Sequence, residues 1–132
     1  MSTKKPLEGY KVVDFSAVFA GPICSRFLLD CGAEVIKIET IGAGDITRGV
    51  DGITRTFAHF NAGKRSIAVD LKSPSGQALV KRLIADADIV IENFRPGIMA
   101  RFGLDYDSLK DSRPGLVYCS ISGFGQSGPY VH

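Results

Sequence analysis

The chain holds no tryptophan, two histidines, two methionines and three cysteines in 132 residues, and each scarcity removes a class of function. His59 and His132 are isolated from one another and lack metal-ligand spacing, so no metal centre is expected. Cys24, Cys31 and Cys119 are odd in number and none falls in Cys-x-x-Cys. A disulfide framework, a zinc ribbon and a thioredoxin-like motif are therefore not expected. Each cysteine lies among apolar neighbours and reads as a reduced thiol used as a small hydrophobe. That usage fits a reducing, cytoplasmic compartment. Charge of one sign is also scarce. Sixteen Lys and Arg against fourteen Asp and Glu leave a formal +2, which gives no nucleic-acid footprint. No apolar run nears the roughly 20 residues of a membrane helix, so no membrane association is expected. The charged start, Met1-Ser2-Thr3-Lys4-Lys5-Pro6, has no apolar segment behind it, so a secretory signal is not expected.

Several sequence signatures of catalysis are missing too. There is no Walker loop and no Gly-x-Ser-x-Gly elbow, because Gly125-Gln126-Ser127-Gly128-Pro129 fails at its last position. Gly123-Phe124-Gly125-Gln126-Ser127-Gly128 does match the dinucleotide pattern of spaced glycines. That pattern acts by joining a strand to a helix whose N-terminus meets a pyrophosphate. Here Pro129 follows in place of a helix, so the segment reads as a flexible glycine loop. Asp86 and Asp88 flank Ala87 and read as solvated rather than as a catalytic pair. Asp14, at the end of an apolar strand, is the best-placed internal carboxylate, and a hydrogen-bonded structural role is its simpler reading.

What is present is an ordinary globular mixture, 45% hydrophobic and 23% charged, in a length that suits one domain with one core. Short β-rich runs alternate with helical ones, without internal repeats. Strands are expected over residues 10–15, 34–38, 66–71, 89–92 and 116–121. Ala20, Ile23, Cys24, Phe27, Leu28 and Cys31 recur at helical spacing, and Gly32 stands where a left-handed C-cap belongs. Ser73-Pro74 supplies an N-cap and a first-turn proline for a helix whose apolar face is Leu79, Val80, Leu83, Ile84 and Ala87. A short helix is expected over residues 54–60, a single turn over 97–102, and a helix over 106–112 capped by Asp105. Residues 40–63 form a long glycine-bearing loop with Gly42, Gly44, Gly49, Gly52 and Gly63, the kind of segment that is usually functional or mobile. Strands one to four are nearly continuous apolar runs, as expected when both sheet faces are covered. The expected fold is therefore α/β and Rossmann-like, a mostly parallel sheet with helices on both faces. No closing helix follows the fifth strand, so residues 1–132 are expected to be the first part of a larger fold.

In such a sheet ligands bind at the C-terminal ends of the strands. Lys72, after the third strand, and Arg95, after the fourth, are expected to converge there. Lys and Arg together suit a phosphate-rich ligand, because guanidinium forks and ammonium groups match its charge.

In order along the chain come Pro6-Leu7-Glu8-Gly9, Val13-Asp14-Phe15, Ala20-Gly21-Pro22, and residues 29–39 (LDCGAEVIKIE). Then follow Gly44-Asp45-Ile46-Thr47-Arg48-Gly49, Asn61-Ala62-Gly63-Lys64-Arg65-Ser66-Ile67, Asp70-Leu71-Lys72, Glu92-Asn93-Phe94-Arg95-Pro96-Gly97, Gly103-Leu104 and Ser122-Gly123-Phe124-Gly125. In this set and order the sequence resembles the N-terminal part of the class III CoA-transferases, the CaiB/BaiF family.

The resemblance implies an interlocked homodimer acting on a CoA thioester and a carboxylic acid, with coenzyme A or acyl-CoA as substrate rather than a permanently held cofactor. It implies an aspartate nucleophile that attacks the thioester to give an acyl anhydride, which returning CoA thiolate converts to an enzyme–CoA thioester. None of the carboxylates in residues 1–132 occupies that aspartate's position, and the chain alone is expected to be silent. The CoA contacts implied by position are Ala20, Val69, Asp70, Leu71, Lys72, Asn93, Phe94, Arg95 and Arg101. Two residues depart from the family pattern. Thr40 stands where Arg is common, and Phe19 stands where formyl-CoA-using relatives have Gln, which favours a less polar acyl group. An α-methylacyl-CoA racemase and a non-catalytic CoA-binding or dimerisation module share the same motifs and remain alternatives.

Overall fold

A computed structural model describes residues 4–49 and 54–131; Gly52, His132 and the first three residues lie outside them. Strands β1 (Lys11–Asp14), β2 (Glu34–Glu39), β3 (Arg65–Ala68), β4 (Ile89–Glu92) and β5 (Val117–Ser120) form one sheet. Its order is β3-β2-β1-β4-β5 and every pairing is parallel. The helices are α1 (Ala20–Asp30), α2 (Thr54–Asn61), α3 (Pro74–Ala85), α4 (Ile98–Arg101) and α5 (Tyr106–Leu109), with a 3-10 turn at Ile46–Arg48.

The alternation of side chains along the strands builds two cores. Val13, Phe15, Ile38 and Val90 face Val80 and Ile84 of α3, Met99 of α4 and Leu109 of α5. Val12, Val35 and Ile91 face Cys24, Leu28 and Leu29 of α1. Both faces are therefore covered, which is why the strands read as unbroken apolar runs. Val80, Ile84 and Val90 are fully enclosed, and each such side chain contributes about 1.5–3 kcal/mol on burial.

The helix ends follow their sequence signals. Ser73 Oγ accepts from the Gly76 N–H at 3.0 Å, and Pro74 occupies the first turn. Gly32 takes φ +109°, where a side chain would be strained, and so turns the chain from α1 into β2.

Four expectations change in detail. The third strand stops at Ala68, because after Val69 donates to the Glu39 carbonyl the chain turns back, with Ser73 N–H on the Asp70 carbonyl. The helix expected over 106–112 closes at Leu109, since Ser112 and Arg113 both donate to the Leu109 carbonyl. Asp105 precedes it, but its carboxylate accepts from the Ser108 hydroxyl rather than from a backbone N–H. Asp88 is not merely solvated: its carboxylate accepts from Lys11 N–H and from Arg113 Nη2, both at 2.9 Å, pinning the start of β1 beside β4.

The strand order reverses between β1 and β4. Their following loops, residues 15–19 and 93–97, run off in opposite directions and leave a crevice between them. That switch point is where ligands bind in open α/β sheets.

Candidate functional site

The β1–α1 loop starts from a locked base. Asp14 is fully enclosed and accepts from Ser16 N–H at 2.9 Å, from the Ser16 hydroxyl, from Ser25 Oγ at 2.5 Å and from Lys64 Nζ at 3.1 Å. Lys64 in turn donates to the Pro22 carbonyl (3.0 Å), Ser25 Oγ (2.7 Å) and Asn61 Oδ1 (2.9 Å). Burial pushes the Lys64 ammonium below its usual range, and Asp14 opposes that shift. Asp14 therefore has the structural role that was its simpler reading.

The next residues are held against the β4 loop. Ala17 N–H donates to Asn93 Oδ1 at 2.9 Å, and Asn93 Nδ2 donates back to the Ala17 carbonyl at 2.8 Å. Val18 follows at φ +69°, the single non-glycine residue with positive φ among the described residues. A β-branched residue there is strained. Phe19 then precedes α1, 44% exposed, with its ring edge-on to Phe60 at 6.0 Å. Gly21 packs so closely that a Cβ on it would sit 2.0 Å from Ser16 Cβ.

Beyond this loop lies a groove of about 1000 Å³. Its walls include Ala20, Asn93, Phe94, Arg95, Arg101, Ile121 and the 122–125 loop. A small recess of about 70 Å³ adjoins it across Phe94, lined by Val69, Leu71, Thr40, Ser16, Lys37, Glu39 and Asp45. Of the nine residues implied by resemblance, five line the groove, and Val69 and Leu71 join Phe94 on the recess. Asp70 and Lys72 line neither. Asp70 Oδ1 accepts from Lys72 N–H at 2.9 Å within an exposed turn, and Lys72 is not among the residues that line the groove with Arg95. Arg95 is joined instead by Arg101 of α4.

Beneath the recess is a charged floor that the sequence reading missed. Lys37, on β2, is 2% exposed and pairs with Asp45, 1% exposed, at 2.9 Å. Its Nζ also donates to the Ser16 carbonyl at 2.5 Å. The lysine is the sole partner of Asp45 Oδ2 among the described residues. Burial pushes the Asp45 carboxyl up, but Thr47 donors and Lys37 outweigh it, and the net direction is down. Asp45 N–H donates to Glu39 Oε2 at 2.8 Å. Arg48 grips Glu39 with Nε at 2.6 Å and Nη2 at 2.7 Å, and the Ser66 hydroxyl adds a third donor. That guanidinium holds the Glu39 carboxyl down at about 2. Arg48 also lies 4.0 Å from the centroid of the Phe57 ring. The glycine-bearing loop is thus anchored at its start to β2 and to α2. The signal was a lysine at an inward position of β2, with an aspartate eight residues on.

The thiols divide by burial. Cys24 and Cys119 pack half-buried on the α1 face, whereas Cys31, at the end of α1, is exposed rather than packed as a hydrophobe. Burial, and then the Cys119 thiol beside it, pushes the Cys24 thiol up. Among the described residues no helix is long and apolar enough to cross a membrane, and no group of His, Cys, Asp or Glu is arranged to hold a metal ion.

Sheet order, covered faces and a crevice at the switch point define a Rossmann-like α/β unit with a groove at the strand C-termini. Comparison with known proteins makes this particular: the chain matches CoA-transferase family III over residues 7–132 and belongs to that family. It is 49% identical to a succinate–glutarate CoA-transferase of Agrobacterium fabrum, over 97% of this chain and 35% of that protein. It is 43% identical to a human succinyl-CoA:glutarate CoA-transferase, over 98% of this chain and 31% of that one. In structure it is similar to a CaiB/BaiF family protein from Brucella suis, with a TM-score of 0.91 and 46% identity, over 98% of this chain and 36% of the other. The chain spans about a third of the length of the curated relatives it matches.

Proposed function

We propose that residues 1–132 are the CoA-binding N-terminal part of an acyl-CoA:carboxylate CoA-transferase. The observation that carries this reading is the groove at the switch point, with two guanidinium side chains, Arg95 and Arg101, on one wall. Such a site suits an extended ligand that is anionic at one end. The small recess beside it, walled by Val69, Leu71 and Phe94, offers apolar contact to a flat group. Asp70 and Lys72 then contribute from the exposed turn after β3. The curated relatives named above support a transferase over a racemase, and their names support a dicarboxylate or its monothioester as substrate. Phe19, exposed beside the start of α1, replaces a polar side chain with an aromatic edge and disfavours formyl and oxalyl groups.

The chemistry follows the covalent route. An aspartate carboxylate outside residues 1–132 attacks the thioester carbon, and CoA thiolate leaves as the anhydride forms. Asp14 is excluded as that nucleophile by geometry: four donors occupy it and it has no exposed surface. The full-length protein acts as an interlocked homodimer.

The test is calorimetric titration of CoA into the full-length protein, paired with a transfer assay using succinyl-CoA with glutarate, and formyl-CoA with oxalate. Binding in the micromolar range and turnover of the first pair are expected. Arg95→Ala weakens binding by about tenfold, the worth of one charged hydrogen-bonded contact. Absence of CoA binding overturns the reading, and turnover by isolated residues 1–132 overturns the placement of the nucleophile.

A further inference from the structure

We infer that the Asn93 side chain is a positioning element of the groove, and that it meets the β1–α1 loop rather than the ligand. The family resemblance makes Asn93 a CoA contact, and on the CoA reading proposed above its backbone can still serve as one. Its carboxamide is already engaged at both ends. Oδ1 accepts from Ala17 N–H at 2.9 Å and Nδ2 donates to the Ala17 carbonyl at 2.8 Å. This is the reciprocal pairing by which two neighbouring strand residues join, here made by a side chain. It satisfies both backbone groups of a half-buried residue that has left the sheet.

What the pairing holds in place is strained. Ala17 sits between Ser16, which is locked to Asp14, and Val18 at φ +69°. A β-branched residue keeps such a conformation only when its surroundings over-determine it. The Asn93 clamp and the Ser16–Asp14 contact are the restraints before Val18. The Gly21–Ser16 contact and the Phe19–Phe60 contact are those after it. The clamp also fixes a spacing. Ala20 opens one wall of the groove, Phe94 and Arg95 form the other, and residues 17 and 93 tie the two together at their base. Loss of the amide frees Val18 to return to negative φ, and the Ala20 wall shifts with it.

Hydrogen exchange in the full-length protein, without ligand, tests the clamp directly. Asn93→Ala is expected to speed exchange of the peptide covering residues 15–22 by at least tenfold, while residues 34–39 stay at the wild-type rate. Wild-type exchange over 15–22 overturns the inference. If Asn93→Ala does not fold, Asn93→Asp gives the same readout, because it sets a carboxylate oxygen against the Ala17 carbonyl. CoA titration separates positioning from direct contact. Asn93→Ala is expected to weaken CoA at least fivefold. Adding Val18→Gly, which tolerates positive φ without strain, is expected to restore at least threefold of that loss. A double variant as weak as Asn93→Ala shows a direct ligand and overturns the inference. A wild-type protein that exchanges as expected but binds no CoA overturns the proposed function and leaves the clamp standing.

Discussion

Replacing Asp14 with asparagine removes one charge from a pair in which neither partner meets solvent: the Lys64 side chain is 1% exposed and that of Asp14 is 0%. Breaking a buried pair by removing one partner costs about 3–5 kcal/mol, because the remaining charge is stranded. Lys64 keeps three neutral acceptors, Pro22 O, Ser25 Oγ and Asn61 Oδ1, so the lower end of that range applies. A loss of about 3 kcal/mol is roughly a hundredfold in the folded-to-unfolded ratio. The assay is urea unfolding of the full-length protein at fixed concentration. With slopes of about 1–3 kcal/mol per molar, the midpoint falls by about 1–3 M. The companion variant Asp14→Asn/Lys64→Met removes the stranded charge as well and fills its stem volume. It is expected to be more stable than Asp14→Asn alone by at least about 1 kcal/mol. A midpoint for Asp14→Asn within about 0.2 M of wild type, or a double variant worse than the single one, would refute the claim that charge burial governs this pair.

Other outcomes follow from the same geometry. Gly21→Ala drives a methyl to within 2.0 Å of Ser16 Cβ and breaks the Ser16 bonds to Asp14. It should destabilise by about 2–4 kcal/mol, and a thermal midpoint at the wild-type value would contradict the packing. Ile84→Ala, which empties a fully enclosed position on α3, should cost about 2–5 kcal/mol in a urea melt, and a cost under about 1 would contradict its burial. Because Arg48 holds the Glu39 carboxyl down at about 2, the stability from that pair is fully present above about pH 4.5 and is lost as pH falls toward 2. Arg48→Ala should lower stability at neutral pH and flatten its decline over that window; an unchanged acid limb in stability-versus-pH measurements would count against the pair. Cys31, exposed, should react with a thiol reagent well before Cys24, whose thiol is pushed up by burial, and mass mapping that finds Cys24 modified first would reverse that order.

The periodicity of the chain located the sheet and its coverings because burial on two faces leaves a direct mark. Val12 and Val13 look alike in sequence because they serve opposite cores. Gly32 and Ser73-Pro74 were legible because each carries its own backbone chemistry. The site was less so. Lys37 alternates in register with buried Val35 on β2, and only the fold brings Asp45 back to pair with it. Lys64 reads as a surface base until Asn61, Pro22 and Asp14 enclose it. Val18 gives no sign of its left-handed backbone, and the Asn93 bonds that hold the preceding Ala17 come from 76 residues away. The rule that strand ends share an edge sets Lys72 near Arg95, but of the two only Arg95 lines the groove, and a sequence carries no signal for which side chain a turn turns inward.

The pairing of β1 with β4 governs the order in which this chain can acquire its shape. Lys11, at the start of β1, is held by Asp88, 77 residues later. At about 5–20 residues per second, a ribosome needs roughly 4–15 s to make that interval. Once β2 has been made β1 can dock on it, but its other edge stays bare, and the base of the groove waits for Asn93. A nascent chain in that interval presents an open parallel edge, which is slow to close and prone to wrong partners. The position that brings the two loops together late in synthesis is thus also the one that leaves the early chain most dependent on protection while it grows.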